Sequence, residues 1–395
     1  MTSQRQLFFE YMGLPSSRPI GLEISLARGI YLYGPDGKEY IDLVSGVTVS
    51  NLGHQHPEII RAVKEQAERY MHLMVYGEII QSPQVKLAEA LATVLPSPLH
   101  STYFVTSGSE AIEGAMKLAR RFTGRTETSA FRNAYHGGTQ GALSIAGNES
   151  LKNSFRPLVP DVRFLDFNSF EDLSLVSVKT ACVVVETIQA EAGIILPVEG
   201  FLGAVRKRCT ETGTLLIIDD IQMGMGRTGK MFSFEHFGII PDILCLAKAF
   251  GGGMPLGAFI SSKEIMQSLT HDPELGHITT FGGHPVSCAA AQASLDYLAS
   301  TRIYEEAENK AVIFMERLSG HPAIKAIRRK GLMIGIDLGS AAHLQKLIPL
   351  FLENGLIADS FLFRPQAFRI APPLIITEEE IHLACDRIFK SLDLL

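Results

Sequence analysis

Residues 241–253 read Pro241-Asp242-Ile243-Leu244-Cys245-Leu246-Ala247-Lys248-Ala249-Phe250-Gly251-Gly252-Gly253: an apolar run of strand length leads into a lysine, and three glycines follow. An amine at the end of such a run is desolvated, which lowers its pKa and makes it a usable nucleophile. Taken alone, the segment also fits a surface lysine at a strand end. A second segment tips the balance. Leu215-Leu216-Ile217-Ile218-Asp219-Asp220-Ile221-Gln222 is likewise an apolar strand ending in polar groups. Two buried strands that bring a carboxylate and an amine to one sheet edge suit a cofactor held as a Schiff base, which needs both.

Outward from these two runs, short apolar segments alternate with helical patterns. Strands are expected at 101–106, 129–132, 162–165, 181–186, 214–219, 243–246 and 256–260, and a helix at 110–120 with apolar positions at 111, 112, 115, 116 and 119. This alternation implies an α/β fold with a mainly parallel, helix-covered sheet, whose ligands gather beyond the carboxyl ends of the strands. Upstream, residues 29–42 read as a hairpin turned at Pro35-Asp36-Gly37. Downstream, 286–298 is a long apolar helix suited to bridging into a second domain. Beyond it the pattern gives helix at 303–318, strand at 331–338 and helix at 341–353. Thr377-Glu378-Glu379-Glu380 opens the last helix as a capping box. No repeat or low-complexity linker separates these parts.

The gross numbers bound the function classes. A chain of 395 residues is long enough for a large and a small domain. Its 46% hydrophobic and 20% charged content is ordinary for a globular protein. A net charge of −6 with no basic cluster argues against nucleic-acid binding. Cys182, Cys209, Cys245, Cys288 and Cys385 are odd in number and form no C-x-x-C pair, which fits a reducing cytoplasm. The run Met1-Thr2-Ser3-Gln4-Arg5-Gln6 lacks a signal-peptide pattern, and no segment reaches the ~18 apolar residues that span a bilayer. No metal-ligand spacing is present; His54 and His56 read as structural.

Thr106-Ser107-Gly108-Ser109-Glu110 stands at a strand-to-helix junction. A glycine there lets the backbone approach an anion, and the helix N-terminus offers unpaired N–H groups and a favourable dipole, so the segment can cup a phosphate. A plain N-cap at Ser107 is the simpler reading of the segment by itself.

Together with Asn51-Leu52-Gly53-His54-Gln55-His56-Pro57, Tyr135-His136-Gly137, Glu186-Thr187-Ile188-Gln189-Ala190-Glu191, Thr279-Thr280-Phe281-Gly282-Gly283 and Phe368-Arg369-Ile370-Ala371-Pro372-Pro373-Leu374, these segments resemble the class III (ornithine, acetylornithine and 4-aminobutyrate type) pyridoxal-phosphate aminotransferases. The resemblance covers nearly the whole chain. It implies fold type I: a seven-stranded, mainly parallel sheet in a large domain at 56–285. A smaller α+β domain at 286–395 would be joined by an N-terminal segment at 1–55. It also implies the cofactor, pyridoxal 5'-phosphate, and a ping-pong exchange between an amino donor and a 2-oxo acid such as 2-oxoglutarate.

By that resemblance Lys248 holds the cofactor and moves the α-proton, and Asp219 keeps the ring nitrogen protonated. Gln222 bonds the ring hydroxyl oxygen, and Tyr135 stacks on the ring. Ser107, Gly108 and Ser109 take the phosphate, and His136 and Glu186 lie near the ring. Arg369 grips a substrate carboxylate, with Glu191 paired to it in the meantime. Thr280 reaches the phosphate of the other subunit in a homodimer with shared sites. Four departures stand out: Gly138 where ornithine-type enzymes carry an arginine, Asp220 for a glutamate, Thr187 for a proline and His284 for an asparagine. Gly138 implies donors whose far end is neutral, cationic or bulky. An aminomutase, epimerase or decarboxylase on the same fold would need the same lysine and aspartate; a non-catalytic cofactor-binding protein would not.

Overall fold

The computed structural model describes residues 3–75 and 77–395, so the first two residues of the expected N-terminal segment lie outside the described residues. Seven strands form the central sheet, in the spatial order Ser101–Val105, Gly257–Ser261, Ile243–Leu246, Leu215–Asp219, Thr180–Glu186, Glu127–Phe131 and Val162–Leu165. Gly257–Ser261 is antiparallel to both its neighbours, and every other pair is parallel. The expected mainly parallel sheet of seven strands is what forms.

The unbroken apolar runs have a direct cause. Thr180–Glu186, Leu215–Asp219 and Ile243–Leu246 are buried along their whole length, and a parallel sheet covered on both faces puts every residue in a core. Successive side chains then divide between two cores by parity. Val183, Val185, Leu216 and Ile218 enter one apolar cluster, whereas Cys182, Val184, Leu215 and Ile217 enter the other. The second core is closed by the helix Gly108–Thr123, which buries Ala111, Ile112, Ala115, Met116 and Ala119 on one stripe.

The hairpin forms as Tyr31–Tyr33 against Glu39–Asp42, with Asp36 accepting from the Lys38 N–H at 3.0 Å across the turn. Its sheet is completed by Leu26–Arg28 and, in parallel, by Leu356–Ile357 from far along the chain. A third, antiparallel sheet holds Ala326–Lys330, Met333–Asp337, Arg364–Ile370 and Ser360–Phe361. The helix Pro285–Thr301 packs against Pro57–Arg69 and Ser82–Val94. The helix expected at 303–318 begins instead as a 3-10 turn, Ile303–Glu306, before Ala307–Leu318; such tighter turns are frequent at helix starts. Thr377 caps Glu378–Leu392 with the expected reciprocal box. Among the described residues no helix is long and apolar enough to cross a membrane.

Candidate active site

Sheet register places the chemistry. Glu186 is paired with Asp219, and Asp219 with Cys245, so the carboxyl ends of three adjacent strands lie side by side. Lys248 follows three residues after Cys245, in a 3-10 turn, with φ of 52°. A non-glycine residue in this left-handed region carries backbone strain, of the kind that collects at functional sites. Above these ends opens a cavity of about 480 Å³, lined by Ser107, Gly108, Ser109, Tyr135, His136, Glu186, Glu191, Asp219, Gln222 and Lys248 among others. Ten of the residues named from the sequence thus meet in one place. Two do not line it: Arg369 lies behind Glu191, and Thr280 is exposed on the surface.

Each acid on this wall is held differently. Asp219 accepts from the Ile221 N–H at 3.1 Å and pairs through Oδ2 with His136 Nδ1 at 2.7 Å. Burial alone would lower the pKa of His136, but the bond to Asp219 and its charge outweigh that and raise it. Glu186 accepts from the N–H groups of Tyr135 and Ala190 at 3.1 and 2.9 Å. Burial pushes its carboxyl up to about 7, with His136 opposing and Asp219 adding to the rise. Lys248 is half-buried, its open side facing the cavity, and loss of solvent brings its amine down to about 8 despite the attraction of Glu191. It is the only lysine or arginine lining the cavity among the described residues.

Asp220 points the other way, as alternation along a strand end requires. It is buried outside the cavity and accepts from the Ser233 N–H at 3.0 Å and from the Ser233 hydroxyl, while Thr187 Oγ1 lies against Ser233 Oγ. Two of the departures from the family pattern are therefore joined through one serine.

The phosphate segment has the expected form. Ser107 caps Gly108–Thr123, accepting from the Glu110 N–H at 3.2 Å, and Glu110 in turn accepts from Thr106 N–H at 2.6 Å. Ser109 Oγ accepts from the Gly138 N–H at 3.1 Å. Gly137, at φ of 132°, passes so close that a Cβ there would sit 2.2 Å from Ser109 Oγ; only glycine serves at this crossing.

Glu191 carries the opposite side. Its Oε1 accepts from Gln222 Nε2 at 3.2 Å and from Arg369 Nη2 at 2.7 Å, and its Oε2 from the Leu362 N–H at 3.0 Å. Burial works to raise its pKa, but the Arg369 charge and these bonds leave it lowered. Arg369 is 1% exposed, and its Nε and Nη1 have no hydrogen-bond partner among the described residues.

The residues fit pyridoxal 5'-phosphate. The volume suits a small cofactor, and Gln222 Oε1, buried on the cavity wall, has no partner among the described residues, as a group awaiting a ring hydroxyl would. The capped helix start, Asp219 and Lys248 face the same space. Sequence reasoning missed the apolar part of the lining: Val49, Ile221, Met223, Met254 and Pro255 lie outside any periodic pattern, and Leu256, expected to open a strand, lies just before the one that forms at Gly257–Ser261.

A family model for class III aminotransferases matches residues 13–392. The acetylornithine aminotransferase of Methanopyrus kandleri is 40% identical over 371 residues, covering 92% of this chain and 92% of its own. Ornithine aminotransferase 1 of Staphylococcus aureus is 35% identical over 387 residues, covering 94% and 95%. Among solved structures, the ornithine aminotransferase of Toxoplasma gondii matches with a TM-score of 0.90 at 28% identity, over 100% of this chain and 96% of that one. Agreement of this extent, on a site already built for the cofactor, means that the chain belongs to the class III aminotransferases and is a pyridoxal-phosphate-dependent transaminase.

Proposed function

We propose that Lys248 anchors the cofactor and carries the proton, that Asp219 partners the ring nitrogen, and that Arg369 takes substrate carboxylates after Glu191 withdraws. The observation that supports this most is the position of Lys248, among the described residues the one lysine or arginine on the cavity wall, just past the end of a buried strand whose neighbour ends in Asp219. Bound pyridoxal 5'-phosphate supplies an electron sink and holds the amino group between the two half-reactions. The chain's own groups do the rest. Asp219, fixed by His136, holds a positive charge at the ring nitrogen. Lys248, with its amine near about 8, gives and takes the proton. The acceptor is a 2-oxo acid, with 2-oxoglutarate the leading choice, and the exchange is ping-pong.

For the donor, ornithine and acetylornithine, the substrates in the relatives' names, each carry a carboxylate. Here position 138 is an exposed glycine, and the cavity wall includes apolar Val49, Ile221, Met223, Met254, Pro255 and Leu256. Donors with a neutral, cationic or bulky far end fit that wall better than anionic ones. We also propose that the enzyme is a cytoplasmic homodimer with shared sites, divided at 55/56 and 285/286 into the N-terminal segment, large domain and small domain. A panel of amines, with and without a remote carboxylate, tests the reading by loss of the cofactor's absorbance band before any oxo acid is added. Clear preference for 4-aminobutyrate or acetylornithine over amines of similar length without a carboxylate would overturn the donor assignment. Amine turnover that ignores an added oxo acid would favour an aminomutase, epimerase or decarboxylase.

A further inference from the structure

Arg369 is flanked by two acids, not one. Beyond the 2.7 Å pair with Glu191, its Nε lies 3.6 Å from Asp359 Oδ1. The two residues are also bound through the backbone, the Arg369 N–H donating to the Asp359 carbonyl at 2.9 Å, so the side chains cannot separate far. The guanidinium rests over the Phe361 ring, 4.9 Å from its centre, which leaves it little room to turn away. Asp359 Oδ1 is buried without a hydrogen-bond partner among the described residues, although the side chain as a whole is 32% exposed. The acid is therefore an incompletely satisfied charge set beside the cation.

We propose that Asp359 is a positioning and specificity residue that weakens the hold of Arg369 on substrate carboxylates. The inference rests on the reading of Arg369 as the carboxylate grip. When a carboxylate arrives, Glu191 withdraws but stays in the molecule, so the cluster gains one negative charge whichever acid touches the guanidinium. Asp359 opposes that gain while it is ionised and ceases to when it is protonated. Burial pushes its carboxyl up to about 6, Arg369 opposing and Glu191 adding to the rise. The other charged groups facing it are few. Asp42 contributes from the strand Glu39–Asp42, itself paired with His54 at 2.8 Å. Carboxylate binding should accordingly loosen as pH rises through about 6.

The probe is glutarate, a dicarboxylate with no oxo group, used as an inhibitor of the holoenzyme so that binding is read without chemistry. For Asp359→Asn, the inhibition constant at about pH 8 should fall about three- to fivefold, the effect of removing one nearby, partly screened charge. At about pH 5 the variant and the wild type should converge, because the wild-type acid is then neutral. Lys248 and Glu186 titrate alike in both proteins and cancel in the ratio. Asp359→Ser, small and neutral, repeats the test should Asp359→Asn fail to fold. Equal inhibition constants across the pH range would overturn the proposal. So would a change of the same size in KM for an amine lacking any carboxylate, since that marks general disruption. Arg369→Lys separates the two layers: if glutarate binds that variant as tightly as wild type, the Arg369 reading itself falls. If glutarate depends on Arg369 but not on Asp359, only the present inference does.

Discussion

The two sides of the cavity are built in opposite ways. On the Lys248 side, Glu186 and Asp219 sit on paired neighbouring strands, and each carboxylate is already fixed by backbone N–H groups. On the Arg369 side, Glu191 lies in the turn after its strand, and its partner comes from another sheet altogether, through one 2.7 Å contact. The first side is held by main chain and cannot shift without breaking the sheet. The second is held mostly by side chains, with the Leu362 N–H the one backbone donor to the Glu191 carboxylate, and it is the side proposed to open. A transaminase of this design needs both, because the cofactor stays while donor and acceptor alternate in one place.

The largest expected effect breaks the fixed side. Lys248→Ala should remove turnover and any borohydride-stable adduct on the peptide carrying residue 248. Near wild-type turnover in that variant would refute the assignment. The same lysine makes a pH prediction. Only the neutral amine attacks, so capture of cofactor by the stripped protein should speed up as pH rises through about 8, then level off. A midpoint near that of an ordinary lysine would mean that burial does not tune this amine.

Asp219→Ala comes next, with a loss of at least ~10²-fold in rate, the scale of a positioned electrostatic group. It also strips His136 of the acid that raises its pKa, so a near-normal rate would tell against any role for the pair. On the movable side, Arg369→Lys keeps the charge but loses the planar fork. KM for the oxo acid should rise about tenfold while the amine half-reaction with a carboxylate-free donor changes less. Equal losses in both half-reactions would erase the distinction between the two sides.

The fixed side is also the one legible in the sequence, for the same reason. A strand buried on both faces writes an unbroken apolar run, and Asp219 and Lys248 stand where two such runs stop. The movable side leaves no such mark. Glu191 and Arg369 lie 178 positions apart, and their roles came from resemblance alone. Asp359 and Ser233 drew no notice at all, since nothing in their neighbourhoods is periodic. His136 was named, yet its bond to Asp219 spans 83 positions and belongs to the fold, not to any local pattern. The strand Ala326–Lys330 went unread because it is a partly exposed edge carrying three cations, which blur the alternation.

The smallest expected effect concerns a residue on neither side of one chain's cavity. Thr280 is exposed, and so are its neighbours Leu275, Ile278 and Phe281. Met71, Leu73, Met74, Ile79 and Ile80 are exposed as well, and the His72 ring lies 5.0 Å from that of Phe281. Exposed apolar side chains on two segments that touch through His72 and Phe281 suit a partner, and a twofold axis would bring each Thr280 to the other subunit's phosphate segment. A phosphate held at Gly108 and Ser109 keeps oxygens that an added hydroxyl can satisfy. Thr280→Ala should then weaken cofactor binding by about 1–2 kcal/mol, one hydrogen bond to a charged group. Mixing Lys248→Ala chains with Thr280→Ala chains sharpens the test. In the mixed dimer one site bears both defects and the other neither, so activity at limiting cofactor should partly return. If it does not, or if a monomer is fully active at assay concentration, the cofactor is held by one chain alone and the fixed side of the cavity is complete without a partner.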